Sequence, residues 1–184
     1  MIYSRAWITF LACVCVLIMI PAAGAAGQAK PLDEFVRVEI WRILLDKDEH
    51  HVLVLLRDAG DEDNGKVMPI QIGMEEGLSL MTAFYKRSSP RPLSHDLMQR
   101  LLGELDAKLV RLKINKMERG IFFAELGLQQ GTREFALDCR PSDGMALALR
   151  VGVPMLVRRQ LLNEQAVGID ELPERGESKL LGEY

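Results

Sequence analysis

The sequence predicts an α+β fold: a mixed, largely antiparallel sheet with helices packed on it, in a single domain. Two observations carry this prediction. Short stretches that alternate apolar and polar residues follow one another across turns, as the strands of antiparallel sheets do. Three further stretches have apolar residues at helical spacing and lie between or after these strand pairs.

The elements follow in chain order from these patterns. Residues 35–40 alternate strictly, and the pattern then loosens from Trp41 to Leu45. The apolar run 51–56 is a more buried strand, and Pro69 marks strand 67–73 as one at an edge or a bulge. Strand 109–116 alternates with Leu112 and Ile114 inward. The remaining predicted strands are 121–128, 134–139 and 154–157, and the predicted helices are 74–86, 94–105, 142–151 and 158–165.

The helix boundaries are predicted from residue types that favour helix ends. Ser94 and Ser142 each precede an apolar helical run, so both are predicted N-caps. In the helix 94–105, Leu97, Leu101, Leu102 and Leu105 fall on one face, as in a helix that packs on a core. Gly152 and Pro154 end the helix that begins at Ser142.

The first 26 residues are interpreted as a secretory signal peptide. Arg5 precedes the apolar run 8–20, which has 13 residues, and small residues after Pro21 suit cleavage near Ala25 or Ala26. A membrane-spanning helix needs about 20 residues, so the sequence predicts an exported, periplasmic or secreted protein with no membrane span after cleavage. An uncleaved N-terminal membrane anchor is the alternative. The domain is predicted over 33–165, followed by a polar tail, 166–184.

Charge and cysteine content restrict the function classes. Cys139 is the single cysteine outside the signal, so an internal disulfide and cysteine-based zinc sites are excluded from the mature chain. The net charge of −3 argues against a generally basic nucleic-acid binder. The segment 86–119 nevertheless has nine basic and four acidic residues, which leaves a local basic face open.

Two similar stretches precede predicted helices. Residues 91–97 read RPLSHDL and residues 140–143 read RPSD, so each combines arginine, proline, serine and aspartate. Serine and aspartate are explained by helix capping and by the helix dipole alone. The arginines are not needed for capping, and an arginine beside a helix N-terminus suits a phosphate.

Together these two stretches contain the parts of a phosphoester-hydrolysing site. His95 is the predicted acid or base, and Asp96 and Asp143 would orient it or bind a metal. Arg140 would contact phosphate, whereas the competing interpretation pairs Arg140 internally with Asp138, Asp143 or another carboxylate. Spacing alone does not show that the two stretches meet.

Three linked motifs resemble the bifunctional nuclease domain family. They are MPIQIG at 68–73 with Glu76, RPLSHDL at 91–97, and DCRPSDGMALALR at 138–150, and the similarity extends over about residues 35–165. The family pattern usually has alanine where this chain has Gly77 and Gly144. The resemblance implies an α+β fold and nuclease activity on RNA and DNA. Carried over by position, the family's motif residues are Glu76, Arg91, Pro92, His95, Asp96, Asp138, Arg140, Pro141, Ser142 and Asp143.

The resulting prediction is a hydrolase that cleaves phosphodiester bonds of RNA, DNA or both. His95, Asp96 and Asp143 are the predicted catalytic residues. Arg91, Arg140 and Ser142 are predicted to bind substrate. Glu76 and Asp138 are predicted to bind a divalent cation, Mg²⁺ or Mn²⁺. The alternative is a non-catalytic exported module that binds an anion or a protein through the same helix starts. The sequence leaves a homo-oligomer open.

Overall fold

The sheet has eight strands within residues 34–45, 51–61 and 64–172, which are the residues that the computed structural model describes. The predicted signal peptide and most of the predicted C-terminal tail lie outside these residues. The spatial order is β6-β5-β4-β7-β1-β2-β3-β8, and all neighbouring pairs are antiparallel except β4 with β7. The strands are β1 Phe35–Leu45, β2 His51–Asp58, β3 Lys66–Gly73, β4 Ala107–Glu118, β5 Ile121–Gln130, β6 Arg133–Cys139, β7 Met155–Arg158 and β8 Val167–Gly168.

The alternating patterns correspond to one buried face of this sheet. Leu112 and Ile114 are fully buried, as their period-two spacing predicts. The loosened pattern after Ile40 has a local cause, because the register with β2 shifts between Ile40 and Arg42 in a β-bulge. Pro69 lies in β3, whose outer side pairs with β8 only at Lys66 and Val67. The missing N–H of Pro69 therefore costs the sheet little.

Four helices accompany the sheet in the described residues: α1 Met74–Phe84, α2 Ser94–Glu104, α3 Pro141–Val151 and α4 Arg159–Gln165. Helix α3 is the most buried, because Met145, Ala146 and Ala148 form part of the core. It ends at Gly152, whose φ of 78° is the left-handed conformation that favours glycine. The predicted α+β class is therefore confirmed.

Both predicted N-caps are wrong, and the predicted packing face of α2 is observed only in part. Arg140 occupies the N-cap position of α3 and Ser142 is its second residue, so Ser142 makes no capping hydrogen bond. Helix α2 begins at Ser94, and its start is fixed instead by Asp96, whose Oδ2 accepts the N–H of Leu93 at 2.8 Å. Of the predicted leucine face of α2, only Leu102 packs against the core, since Leu97, Leu101 and Leu105 are about half exposed or more.

Within the described residues, no helix combines the length and the apolar character that crossing a membrane requires.

Candidate active site

Polar side chains from three helices meet in one hydrogen-bonded network, which we call the three-helix network. Glu76 and Ser79 lie three residues apart on α1 and therefore share one helix face. His95 and Asp96 belong to the first turn of α2, where a helix N-terminus favours carboxylates. Helix α3 contributes its N-cap Arg140, and from within the helix Asp143 and Arg150.

Arg140 connects two carboxylates on different helices. Its Nη1 donates to Glu76 Oε1 at 2.6 Å, its Nε to Asp143 Oδ2 at 2.8 Å, and its Nη2 to Asp143 Oδ1 at 3.1 Å. The side chain of Arg140 is 64% exposed, so the guanidinium remains open to solvent while it is paired. The competing interpretation, in which Arg140 pairs internally, is thus the arrangement observed.

His95 is the buried histidine of the network. The residue is only 6% exposed, and both ring nitrogens are engaged. Nδ1 lies 2.8 Å from Ser79 Oγ, and Nε2 lies 3.2 Å from Asp143 Oδ1. In a neutral imidazole the proton belongs on Nε2, because a bare nitrogen facing the Asp143 carboxylate would place two acceptors against each other. Ser79 then donates its hydroxyl proton to Nδ1.

Arg150 connects Asp96 to the same network. Its Nε donates to Asp96 Oδ1 at 2.6 Å, while Nη2 donates to Ser79 Oγ at 3.2 Å and Nη1 to the carbonyl oxygen of Ser79 at 3.2 Å. Asp96 therefore contacts Arg150 rather than His95. The side chain of Arg150 is almost fully buried. Its guanidinium group orients the hydroxyl of Ser79, and that hydroxyl in turn orients the imidazole of His95.

The network keeps Asp143 and Asp96 ionised. Partial burial would raise the pKa of Asp143, but hydrogen bonds and charge from Arg140, with those of His95, outweigh it and lower the pKa. The hydrogen bond from Arg150 is the main cause that lowers the pKa of Asp96. Asp143 in turn raises the pKa of Arg140 above its usual value. All three groups are therefore charged at neutral pH.

The other predicted site residues lie around or apart from this network. Ser142 lines a cleft beside Arg140 and Glu76. Arg91 is exposed in the segment between α1 and α2. Asp138 is exposed on β6, where strand alternation places it on the sheet face opposite Cys139, and Cys139 faces α3. The structure brings Glu76 together with Asp143, not with Asp138.

These positions bear on the predicted divalent cation. Glu76 and Asp143 supply carboxylate oxygens of the type that Mg²⁺ and Mn²⁺ bind, yet the guanidinium of Arg140 already lies between them. Among the described residues, no three histidine, cysteine, aspartate or glutamate side chains form a group that could hold a metal ion. The observed arrangement therefore does not fit a metal held by Glu76 and Asp138, and the cation stays a prediction.

Ser79 and Arg150 are the two network residues that the sequence interpretation missed. Ser79 follows Glu76 by three residues, so its position on the same helix face was a usable signal. Arg150 is the last residue of the motif at 138–150 and lies 71 residues from Ser79. Nothing local distinguishes it from a solvated arginine in a last helical turn, where the helix dipole favours a cation.

The nine basic residues between 86 and 119 include paired cations on β4 and a cluster of exposed cations before α2. On β4, Lys113 Nζ lies 3.6 Å from Glu125 Oε1, and Lys116 Nζ lies 2.6 Å from Glu118 Oε1, so both lysines are in ion pairs. Lys86, Arg87 and Arg91, in the segment between α1 and α2, are exposed and have no ion-pair partner among the described residues. No acidic residue occurs between Glu76 and Asp96, so this cluster is the local excess of positive charge.

Chemically, the network combines an exposed guanidinium fork, an ionised carboxylate and an imidazole held by that carboxylate. A guanidinium fork matches the oxygens of a phosphate. An imidazole is the side chain best suited to exchange protons near neutral pH. The arrangement can therefore bind an anionic ester and transfer a proton beside it.

Comparison with known proteins shows the family to which this chain belongs. The model of the bifunctional nuclease domain matches residues 54–170. An uncharacterized protein of Mycobacterium tuberculosis is 31% identical over 134 residues, which cover 73% of this chain and 78% of that protein. Bifunctional nuclease 1 of Oryza sativa subsp. japonica is 26% identical over 121 residues, covering 64% of this chain and 36% of the plant protein.

A second rice protein, bifunctional nuclease 2, is 28% identical over 112 residues, which span 59% of this chain and 34% of that protein. Each plant relative is thus matched over about a third of its own length. The family model covers well over half of this chain and includes every residue of the three-helix network. The chain belongs to the bifunctional nuclease domain family.

Proposed function

We propose that this protein is a nuclease that hydrolyses phosphodiester bonds of RNA, DNA or both at the three-helix network. The observation that carries the proposal is the position of Asp143, which bonds the exposed Arg140 fork and the imidazole of His95 at once. A phosphate bound by the fork would lie next to the group that exchanges protons. The names of the two rice relatives support the same activity.

In this proposal Arg140 binds the non-bridging phosphate oxygens and offsets the charge that develops on them. Asp143 holds the imidazole of His95 in place and orients a water molecule. The water oxygen forms a bond to phosphorus, and its proton passes to the carboxylate of Asp143, which the Nε2–H of His95 holds in place. The bond to one ester oxygen breaks, and that oxygen receives the proton from Asp143 as it leaves. Ser79 and Arg150 fix the other side of the ring.

The charge of the network indicates a role for the segment between α1 and α2. With His95 neutral, the network contains two arginines and three carboxylates, so on its own it repels a phosphate. Lys86, Arg87 and Arg91 lie in the segment that joins α1 to α2, the helices of Glu76 and His95, and would supply this positive charge. We propose that these three residues attract the nucleic acid toward Arg140.

The test is cleavage of RNA, single-stranded DNA and duplex DNA by the purified protein, with Mg²⁺, with Mn²⁺ and with EDTA. We expect Arg140→Gln and Arg91→Gln to lower affinity for all sequences and to reduce the salt slope of binding by about one each. Arg140→Gln should stay folded, because exposed ion pairs contribute about 0–1 kcal/mol. Arg133→Gln, at the opposite end of β6, is the matched control and should behave like wild type.

A second candidate is a non-catalytic module that binds an anion or a protein. The burial of His95 and the occupation of both its nitrogens favour this candidate. It predicts that nucleic acid binds through Arg91 and Arg140 but is never cut under any metal condition. His95→Gln separates the two, since it abolishes cleavage in a nuclease while leaving binding by the arginines in place.

Export and oligomerisation are separate proposals. The signal peptide interpretation predicts a native N-terminus between Gly24 and Lys30, which mass spectrometry of the protein from its host would detect. An intact Met1 in the membrane fraction would support the uncleaved anchor instead. Sedimentation velocity of the purified protein would decide whether it forms a homo-oligomer.

A further inference from the structure

A cleft of about 310 Å³ opens beside the exposed side of the three-helix network. Its walls come from three places that are distant in sequence: the end of β3, the turn between β4 and β5, and the first residues of α3. Arg140 and Glu76 line it on one side. Whatever occupies the cleft therefore lies against the guanidinium that the proposed function assigns to phosphate.

The cleft has flat apolar walls. The ring of Phe122 and the ring of Pro141 both line it, together with Ile70 and Ile121. Phe122 is half-buried and packs against the core, so its ring is held by neighbours. Ile121 is 62% exposed at the start of β5. Aromatic and apolar side chains in such positions are surfaces on which a planar ring stacks.

Ser142 adds a polar group without a protein partner. It is only 5% exposed, and among the described residues its hydroxyl has no hydrogen bond. The Oγ of Ser142 is not one of the fully buried, unpartnered side-chain oxygens of the described residues, so the hydroxyl is still reached by solvent, through the cleft that the residue lines. A hydroxyl in this position can donate a hydrogen bond to a bound molecule or accept one from it. The first backbone N–H groups of α3 belong to the same helix start, and a helix N-terminus attracts anions.

We propose that this cleft binds one unpaired nucleobase of the substrate, stacked on Phe122 and hydrogen-bonded by Ser142, with the adjoining phosphate on Arg140. A nucleobase has apolar faces and a polar edge, which matches two ring-bearing walls and one hydroxyl without a protein partner. The volume lies at the lower end of the range of about 300–1,000 Å³ for small-molecule sites. It suits a single base rather than a duplex.

This inference rests on the proposed function, and it narrows the substrate class. A base inside a duplex must leave its stack before it can enter a cleft of this kind. The protein should therefore act on single strands, loops and frayed ends in preference to intact duplex. A free nucleoside monophosphate, which carries one base and one phosphate, should occupy the same cleft and compete with the substrate.

The test compares nucleoside 5′-monophosphates with ribose 5-phosphate in calorimetric titrations of the full-length protein. We expect the nucleotides to bind at least tenfold more tightly, because only they have a base to stack. Phe122→Leu should remove on the order of tenfold of this affinity and leave that of ribose 5-phosphate unchanged. Phe123→Leu is the matched control. Phe123 is the next residue of β5 and faces the other side of the sheet, where its ring contacts Lys116.

The possible outcomes separate the cleft from the catalysis. Equal binding of nucleotides and ribose 5-phosphate, or equal effects of Phe122→Leu and Phe123→Leu, would overturn the cleft even if nucleic acid is cut. Base-dependent binding without any cleavage would support the cleft and contradict the proposed nuclease. If Phe122→Leu fails to fold, Phe122→Tyr keeps a ring and should keep base-dependent binding, whereas Ser142→Ala should weaken it.

Discussion

Gly77 is the residue at which α1 comes closest to the sheet. A methyl group added at Gly77 would overlap Val52 Cγ2 and lie 2.8 Å from Val52 Cβ. Val52 is fully buried on β2, and a contact with Cβ cannot be relieved by turning the side chain. Gly144 is in a similar position, because its added methyl would overlap Leu112 Cδ1 on β4. At both positions, the absence of a side chain on glycine leaves room for the larger residue opposite, Val52 or Leu112.

We therefore expect Gly77→Ala to lower the free energy of unfolding, although alanine is the better helix former. Overpacking of a core costs about 1–3 kcal/mol, and the gain in helix propensity is at most about 1 kcal/mol. Gly103→Ala on α2 is the control, since a methyl group there meets no atom within 4 Å. This variant should therefore show only the gain in stability from the higher helix propensity of alanine. Urea unfolding of both variants measures the difference. A more stable Gly77→Ala would contradict the packing argument.

Cys139 gives a second prediction at the residue scale. Burial, with Asp143 nearby, raises the pKa of its thiol to about 12. The thiolate is the reactive form, so at pH 8 the folded protein should react with a disulfide reagent far more slowly than the urea-unfolded protein. The absorbance of the thiolate that Ellman's reagent releases follows the reaction. Equal rates in both states would contradict this environment.

Single residues also show where sequence interpretation ends. Arg140, His95 and Asp143 indicated phosphate chemistry, because a guanidinium binds phosphate and an imidazole or a carboxylate transfers protons. The types of Ser79 and Arg150 gave no such indication. Their roles depend on contacts between residues distant in sequence: Ser79 and His95 are 16 residues apart, and Arg150 and Ser79 are 71 residues apart. Ser142 was misassigned as a cap because Arg140, whose side chain cannot cap, occupies the N-cap position.

At the scale of elements, α2 is attached by polar contacts and by Leu102, which is half-buried against the core. His95 is its one buried residue, and Asp96 connects it to α3 through Arg150. Leu97, Leu101 and Leu105 are exposed, although the spacing of the leucines predicted that they lie on the core with Leu102. Periodicity shows that a helix has an apolar face, but it does not show where that face points. The strand patterns were more informative because alternation fixes both faces of a sheet at once.

The attachment of α2 should make the protein sensitive to acid. The pKa of Asp96 is lower in the folded protein than its usual value of 3.8. The ionised carboxylate therefore adds stability that is complete above the unfolded pKa and is lost as pH falls through the folded pKa. We expect urea midpoints to fall below about pH 4, and to fall less steeply in Asp96→Asn. Asp138→Asn, on an exposed residue outside the network, should keep the wild-type dependence.

At the scale of the whole molecule, the three-helix network combines residues from both halves of the chain. Arg140 and Glu76 are 64 residues apart, and Arg150 and Asp96 are 54 apart. The fold class followed from local patterns, but the order of strands did not. The four residues of β7 contain nothing that predicts a place between β4 and β1, because that position depends on two pairings with distant strands.

The central position of β7 has a consequence for the order in which the protein is made. The strands β1 to β3 and β4 to β6 each form a meander that can pair locally as it leaves the ribosome. The strand that joins them is synthesised after both, so until Arg158 has emerged the nascent chain has two unpaired inner edges. Such edges are templates for pairing with other chains. Ribosomes that stall before Met155 would therefore release an aggregation-prone product, which a synthetic β7 peptide added in trans should help to keep soluble.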